Sequence, residues 1–152
     1  MSENETAIGW SRAGLAQRAA DDVPDGSYVN LGIGIPMMIP ARIPEGREVW
    51  FHTENGILGL GGVPAPDEID LDVTNAGKEY ARIEVGASIF DSSLSFAIVR
   101  GGHLDIAVLG GMETTPSGDL ANWTAPGRTP GVGGAMDLVM GAKQVWVVMD
   151  HT

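Results

Sequence analysis

The 152-residue chain has no cysteine. That absence excludes disulfides, thiolate metal sites and a cysteine nucleophile, and it makes the cytoplasm the expected setting. Positive charge is scarce: 9 Lys and Arg stand against 20 Asp and Glu, for a net charge of −11, and Lys78 is one of only two lysines. No basic stripe exists to neutralise phosphates, so nucleic-acid binding is excluded. An anionic ligand would have to be held by local groups against the overall field. Long apolar runs are also lacking. None approaches the ~20 residues of a membrane-spanning helix, and the opening Met-Ser-Glu-Asn-Glu is acidic and polar, unlike a signal peptide. The three histidines, His52, His103 and His151, are scattered, with no pair at helical metal-ligand spacing, and no metal is expected.

What remains is a chain built for a core. Its hydrophobic fraction is 43%, and its length fits one domain, residues 1–152. The 22 glycines cluster in short loops rather than in a repeat. The stretch around which the rest is organised runs from Val49 to Gly62. Val49, Trp50 and Phe51 read as a buried strand that stops at Thr53. Glu54 follows at the start of a loop with glycines at 56, 59, 61 and 62. A carboxylate at the end of a rigid apolar element is placed where sites are commonly built. Glycines beside it allow close approach to the backbone. The combination suits nucleophilic attack by a carboxylate on a large substrate.

Elsewhere, helix and strand signals alternate. Ile8 to Ala20 reads as an amphipathic helix with Ala13, Leu15, Ala16 and Ala19 on its apolar face. Tyr28 to Leu31 reads as a strand, followed by a strand-to-helix turn in which Pro36 starts a short helix ended by Pro40. The Gly32-Ile33-Gly34-Ile35-Pro36 segment is not a dinucleotide loop, because Pro36 stands where a third glycine belongs. Ile69 to Val73 alternates like an edge strand, and Asn75 to Lys78 forms a polar turn. Ile83 to Val85 makes another short strand. Asp91 caps a helix through Val99, with Leu94 and Ile98 on one face and Gly101 at its end. Asp105 to Leu109 is a strand, Thr115 to Asp119 a hairpin turn, and Asn122 to Pro130 a loop. Gly131 to Gly134 opens a helix, Ala135 to Met140. Val145 to Met149, continuously apolar, reads as a central parallel strand. The alternation predicts an α/β fold: an open, mainly parallel sheet with flanking helices.

From Glu54 onward the residues go beyond generic physics. Glu54-Asn55-Gly56 with Gly59, Gly61 and Gly62 resembles the glutamate signature of the family I coenzyme A transferases, in particular the B (beta) subunit of 3-oxoacid CoA-transferases. Collinear matches extend along most of the chain: Val29 to Pro36, Asn75 to Lys78, Arg100 to His103, Leu120 to Trp123, and Gly131 to Leu138. Thr53 stands where the family often has serine; the hydroxyl is kept. The family's B subunits continue for several tens of residues beyond the point matching Thr152, so the chain is expected to lack its C-terminal portion.

The resemblance implies an enzyme that moves CoA from a donor acyl-CoA to an acceptor carboxylic acid by a ping-pong route, through an acyl-glutamyl anhydride and a glutamyl–CoA thioester on Glu54. It implies no permanently bound cofactor, CoA serving as substrate and covalent intermediate. It also implies a CoA-transferase A (alpha) subunit as partner, in an α2β2 heterotetramer whose active site lies where the two kinds of chain meet. Gly133 and Gly134 are the expected oxyanion donors, with Asn30, Asn55 and Lys78 as CoA or carboxylate contacts. The acid pair is left open among succinyl-CoA with acetoacetate, succinyl-CoA with 3-oxoadipate, and acetyl-CoA with acetoacetate or butyrate, which would place the protein in ketone body or fatty acid metabolism. Bland readings stand beside these: Lys78 as a solvated lysine, Asn30, Asn55 and Asn75 as turn caps, the Gly131 to Gly134 loop as tight packing, and His52 as a structural histidine. Trp50, Trp123 and Trp146 are expected in core or interface. Two further readings remain: a truncated non-catalytic interaction module, and a sugar-phosphate isomerase, a class similar in overall fold.

Overall fold

The structure, a computed structural model, describes residues 9–150 except 125, 128 and 130. Its first element, α1 (Arg12–Asp22), begins later than the apolar pattern suggests. Gly9 has φ 131°, outside the helical region, and the Ser11 hydroxyl accepts the Gly14 amide at 3.1 Å, fixing the start. Ala16, Ala19 and Ala20 form the buried stripe, whereas Ala13 is exposed.

Strand β1 (Tyr28–Leu31) follows, then two short 3-10 turns, Ile35–Met38 and Pro40–Arg42, each with proline at its start. β2 (Trp50–Thr53) and β3 (Ile57–Leu60) are joined by the three residues Glu54 to Gly56, so the glycine loop is a tight hairpin rather than an open loop. β4 (Ile83–Ile89) is longer than the sequence suggested. Gly86, at φ 90°, does not end the strand, and the pairing of β3 with β4 shifts register between Leu58 and Leu60. Then come α2 (Ser92–Arg100), β5 (Ile106–Leu109), the small hairpin β6 (Glu113–Thr114) and β7 (Leu120–Ala121), α3 (Ala135–Gly141) and β8 (Gln144–Val147).

The main sheet has the order β4-β3-β2-β1-β5-β8. β2, β1, β5 and β8 run parallel, while β3 and β4 extend one margin through antiparallel pairings. Alternation along the buried strands sends side chains to two separate cores. Val29, Leu31, Phe51, Ile106 and Val108 join α1 on one face. Ala107 and Leu109 join Val99 of α2 and Leu138 of α3 on the other. Full burial of such an aliphatic side chain is worth ~1.5–3 kcal/mol, so the two-sided apolar pattern decides which strands lie inside.

Two expectations fail and one holds only in part, each for an identifiable reason. Residues 69–73 form no strand: the Asp70 carboxylate accepts the Asp72 amide at 2.9 Å, and Val73 N–H bonds back to Asp70 O. This local Asx bonding replaces a ladder, leaving a Thr74–Tyr80 bridge. The fully buried stripe of α2 is Ser95 and Val99; of the apolar pair, Ile98 packs against the core beside them, whereas Leu94 is 49% exposed. Ser95 faces inward because a buried partner on β2, His52, awaits its hydroxyl. β8 lies at a sheet margin, pairing with β5 alone among the described strands. Its apolar run reflects contact on two faces, Trp146 and Val148 with the α1 core and Val145 with the other. Of the other tryptophans, Trp50 is half-buried and Trp123 is 48% exposed.

Candidate functional site

The C-terminal ends of β1, β2 and β5 converge on a cavity of about 530 Å³. Asn30 to Ile33 lines it from β1 and its extension, Glu54 from the end of β2, Leu109 to Met112 from β5, and Gly131 to Ala135 from the approach to α3. Crevices beyond the carboxyl ends of parallel strands are the usual ligand sites of such sheets.

Glu54 is half-buried at the hairpin turn. The turn is held from several directions. The Thr53 hydroxyl donates to Asn55 Oδ1, and Asn55 Nδ2 donates to Thr74 O at 2.8 Å. Gly56 N–H donates to Thr53 O at 3.0 Å, and Phe90 N–H donates to Gly56 O at 2.9 Å. Gly56 has φ 108°, and a Cβ there would overlap the Phe90 carbonyl oxygen, so position 56 admits glycine alone. Opposite, a Cβ on Gly134 would overlap Glu54 Oε2 and press on the Phe96 ring at 3.0 Å. Gly134 is kept in place by the packing of α3 on α2. Arg100 donates to Asp137 at 2.8 Å and lies 5.6 Å from the Phe96 ring centroid.

Behind Glu54 the sheet face toward α2 carries a chain of buried polar groups. Asn30 and His52 are register partners on β1 and β2, and both are buried, as is Ser95 on α2. Asn30 Nδ2 lies 2.9 Å from His52 Nδ1 and 3.3 Å from His52 O. His52 Nε2 lies 3.1 Å from Ser95 Oγ, whose hydroxyl donates to Thr53 O at 3.3 Å. The directions agree with one tautomer: Asn30 donates to Nδ1, Nε2–H donates to Ser95, and Ser95 donates to the carbonyl just before Glu54. Burial lowers the His52 pKa from 6.5 to about 4, so the ring is neutral at physiological pH. Its ring stacks on Phe90 at 6.1 Å.

Four residues singled out in the sequence, Glu54, Asn30, Gly133 and Gly134, meet in the cavity. Asn55 does not line it; its side chain braces the turn instead. Lys78 does not line it either: at φ 65°, it follows the lining residue Ala76 in the Asn75 turn. Ser95 was missed. Its signal was available in polar residues at matching positions, Asn30 and His52, of two otherwise apolar strands. Among the described residues no group of three His, Cys, Asp or Glu is placed to hold a metal ion, and no helix is long and apolar enough to cross a membrane.

The model of the coenzyme A transferase family matches residues 12–152. The probable B subunit of a succinyl-CoA:3-ketoacid coenzyme A transferase of Bacillus subtilis is 51% identical over 142 residues, covering 93% of this chain and 66% of the relative. The B subunit of a 3-oxoadipate CoA-transferase of Acinetobacter baylyi is 52% identical over 143 residues, with coverage of 93% and 66%. The chain thus spans just under two thirds of the length of these relatives. Among solved structures, glutaconate coenzyme A-transferase from Acidaminococcus fermentans superposes with a TM-score of 0.71 at 16% identity, over 94% of this chain and 57% of that one. At that identity the likeness concerns the fold.

Proposed function

The chain belongs to the coenzyme A transferase family, and on that premise we propose that it forms the main part of the B (beta) subunit of an acyl-CoA:carboxylate CoA-transferase of the 3-oxoacid type. The observation that carries the reading is the placement of Glu54: one carboxylate on a braced turn, at the edge of a cavity formed by strand ends, packed against a glycine that leaves it room.

In this reading the Glu54 carboxylate attacks the thioester carbonyl of the donor. The C–S bond breaks, CoA leaves as thiolate, and an acyl–glutamyl anhydride forms. The thiolate then attacks the glutamyl carbonyl carbon. The bond between that carbon and the bridging oxygen breaks, the donor acid departs as its carboxylate carrying that oxygen, and a glutamyl–CoA thioester remains. A second carboxylate runs the same steps in reverse. Each addition places negative charge on a carbonyl oxygen, and the backbone amides of Gly133 and Gly134 are the proposed donors to it. The exchange splits one difficult substitution into paired nucleophilic steps and moves electron pairs only.

The proposed partner is the alpha subunit of such an enzyme, in an α2β2 assembly in the cytoplasm. The donor and acceptor acids are drawn from succinate, 3-oxoacids such as acetoacetate or 3-oxoadipate, and short fatty acids. The test is intact-protein mass spectrometry of the protein combined with an alpha subunit. With acyl-CoA, this chain should gain one CoA thioester on Glu54, and an acceptor acid should remove it. Glu54→Gln should gain none and should lose transfer by several orders of magnitude. Transfer by Glu54→Gln at more than about a tenth of the wild-type rate would overturn the assignment.

A further inference from the structure

The buried chain behind Glu54 ends on an unmatched atom. Both Nδ2 protons of Asn30 are engaged by His52, one at the ring nitrogen and one at the backbone carbonyl. Turning the amide over would set Oδ1 against the His52 carbonyl oxygen and forfeit that hydrogen bond, so this orientation satisfies more of the surrounding groups. Oδ1 is left buried without a hydrogen-bond partner among the described residues, on a side chain of a residue 1% exposed that lines the Glu54 cavity. A buried acceptor without a donor is costly, and native proteins seldom retain one. Asn30 lines the cavity, so a donor that reached Oδ1 from there would complete its hydrogen bonding.

The acyl end of a thioester substrate offers none. Its thioester carbonyl, any 3-oxo group and any second carboxylate are all acceptors, as is the free acid once ionised. The donor nearest the sulfur of an acyl-CoA is the amide N–H two carbons away on the thiol arm. We propose that Asn30 Oδ1 accepts a hydrogen bond from this amide N–H, making Asn30 a specificity-determining residue and His52, which sets its orientation, a positioning residue. The inference rests on the transferase reading of the same cavity and adds which part of the carrier is read there.

The experiment compares two acyl donors with the wild-type protein combined with its alpha subunit: the acyl-CoA, and the analogue in which the amide nitrogen next to the sulfur arm is replaced by an ester oxygen. Wild type should use the ester analogue with kcat/KM lower by about tenfold or more, the effect of leaving a buried acceptor unpaired. In Asn30→Leu the two donors should differ by about twofold at most, because the acceptor is gone. Equal kcat/KM for the two donors in wild type would overturn the inference and leave the transferase reading intact. A preference that survives in Asn30→Leu would overturn it as well. Should the leucine variant fail to fold, the wild-type comparison decides alone. Absence of transfer from acyl-CoA itself would overturn the reading and the inference together.

Discussion

Glu54 and Gly134 are fitted to each other: Oε2 of the carboxylate occupies the space in which any other residue at 134 would carry its Cβ. The two come from distant parts of the sequence, the turn after β2 and the start of α3. Gly134 has ordinary dihedrals, φ −78° and ψ −1°, so its identity is set by what it touches and not by its backbone.

Gly134→Ala should therefore leave the fold nearly intact and displace Glu54. With an alpha subunit present, CoA transfer should fall by ~10²-fold or more, the scale of a misplaced catalytic group, while the melting temperature changes by a few degrees. Gly133→Ala is the contrast. A Cβ there meets no atom within 4 Å, but φ is +57°. The cost should appear mainly as ~1 kcal/mol of stability. Activity assays and thermal melts of both variants check the pair; equal activity loss in the two would show that contact with Glu54 does not set the identity of residue 134.

The lowered pKa of His52 fixes a pH window. Between about 4 and 6.5 the unfolded histidine binds a proton that the folded one does not. Stability thus rises with pH across this window. His52 makes its full contribution above 6.5 and loses it as pH falls toward 4. The difference amounts to about 3 kcal/mol by linkage. Asp105, Asp119, Asp137 and Asp150 are held below the usual carboxylate range by their hydrogen bonds. Their folded-state protonation lies below the histidine window. Denaturant melts from about pH 4 to 7 should show the slope in wild type and a weaker one in His52→Gln.

Ser95→Ala removes the acceptor for His52 Nε2–H and the donor to Thr53 O in one step. Leaving buried polar groups unpaired costs ~1–3 kcal/mol, so the variant should unfold at distinctly lower urea. Ser95→Thr, if the added methyl is accommodated, should recover part of the loss. A neutral Ser95→Ala would mean that the buried chain is not a stabilising element.

Isolated protein should associate. Both sheet margins, β4 and β8, have one neighbour each among the described strands. Val85 on β4 is fully exposed and Ile89 is 66% exposed, features that favour edge pairing. Sedimentation of the chain by itself should show dimers or larger species, and a 1:1 complex should form once the alpha subunit is added. A compact monomer at high micromolar concentration that ignores the alpha subunit would favour a non-catalytic module.

How much of this was legible in the sequence depended on which force decided each element. β5 was readable because burial on both faces imposes apolar residues directly, and β1 and β2 because one buried face does, through Val29, Leu31 and Phe51, while the other carries Asn30 and His52. The Asp91 cap of α2 was readable because capping is local. Residues 69–73 misled because alternating acidic residues satisfy a strand pattern while their side chains bond their own backbone. Ile98 packs on the core as its hydrophobicity suggests, but Leu94 misled because hydrophobicity alone cannot reveal that Ser95 has a buried partner 43 positions earlier in His52. The site followed the same division. Glu54 and its glycines are contiguous and were recognisable, whereas the fit of Gly134 on Glu54 and the Asn30–His52–Ser95 chain exist only after distant segments meet.

The brace on the turn also governs how the protein ages. Asn55-Gly56 is the dipeptide most open to deamidation, in which the glycine nitrogen attacks the asparagine side-chain carbonyl and ammonia is lost. Here the attacking nitrogen is committed to Thr53 O, and the amide is held by Thr53 and Thr74. Closure of the succinimide ring must wait for the turn to open. Conversion at 55 would set a second carboxylate beside Glu54 and delete the donor to Thr74. Peptide mapping of stored protein should find aspartate or isoaspartate at 55 only as fast as that turn opens. Damage accumulating as quickly in folded as in unfolded protein would show that the brace offers no protection. Storage lifetime beside Glu54 thus becomes a clock for motion of a single hairpin.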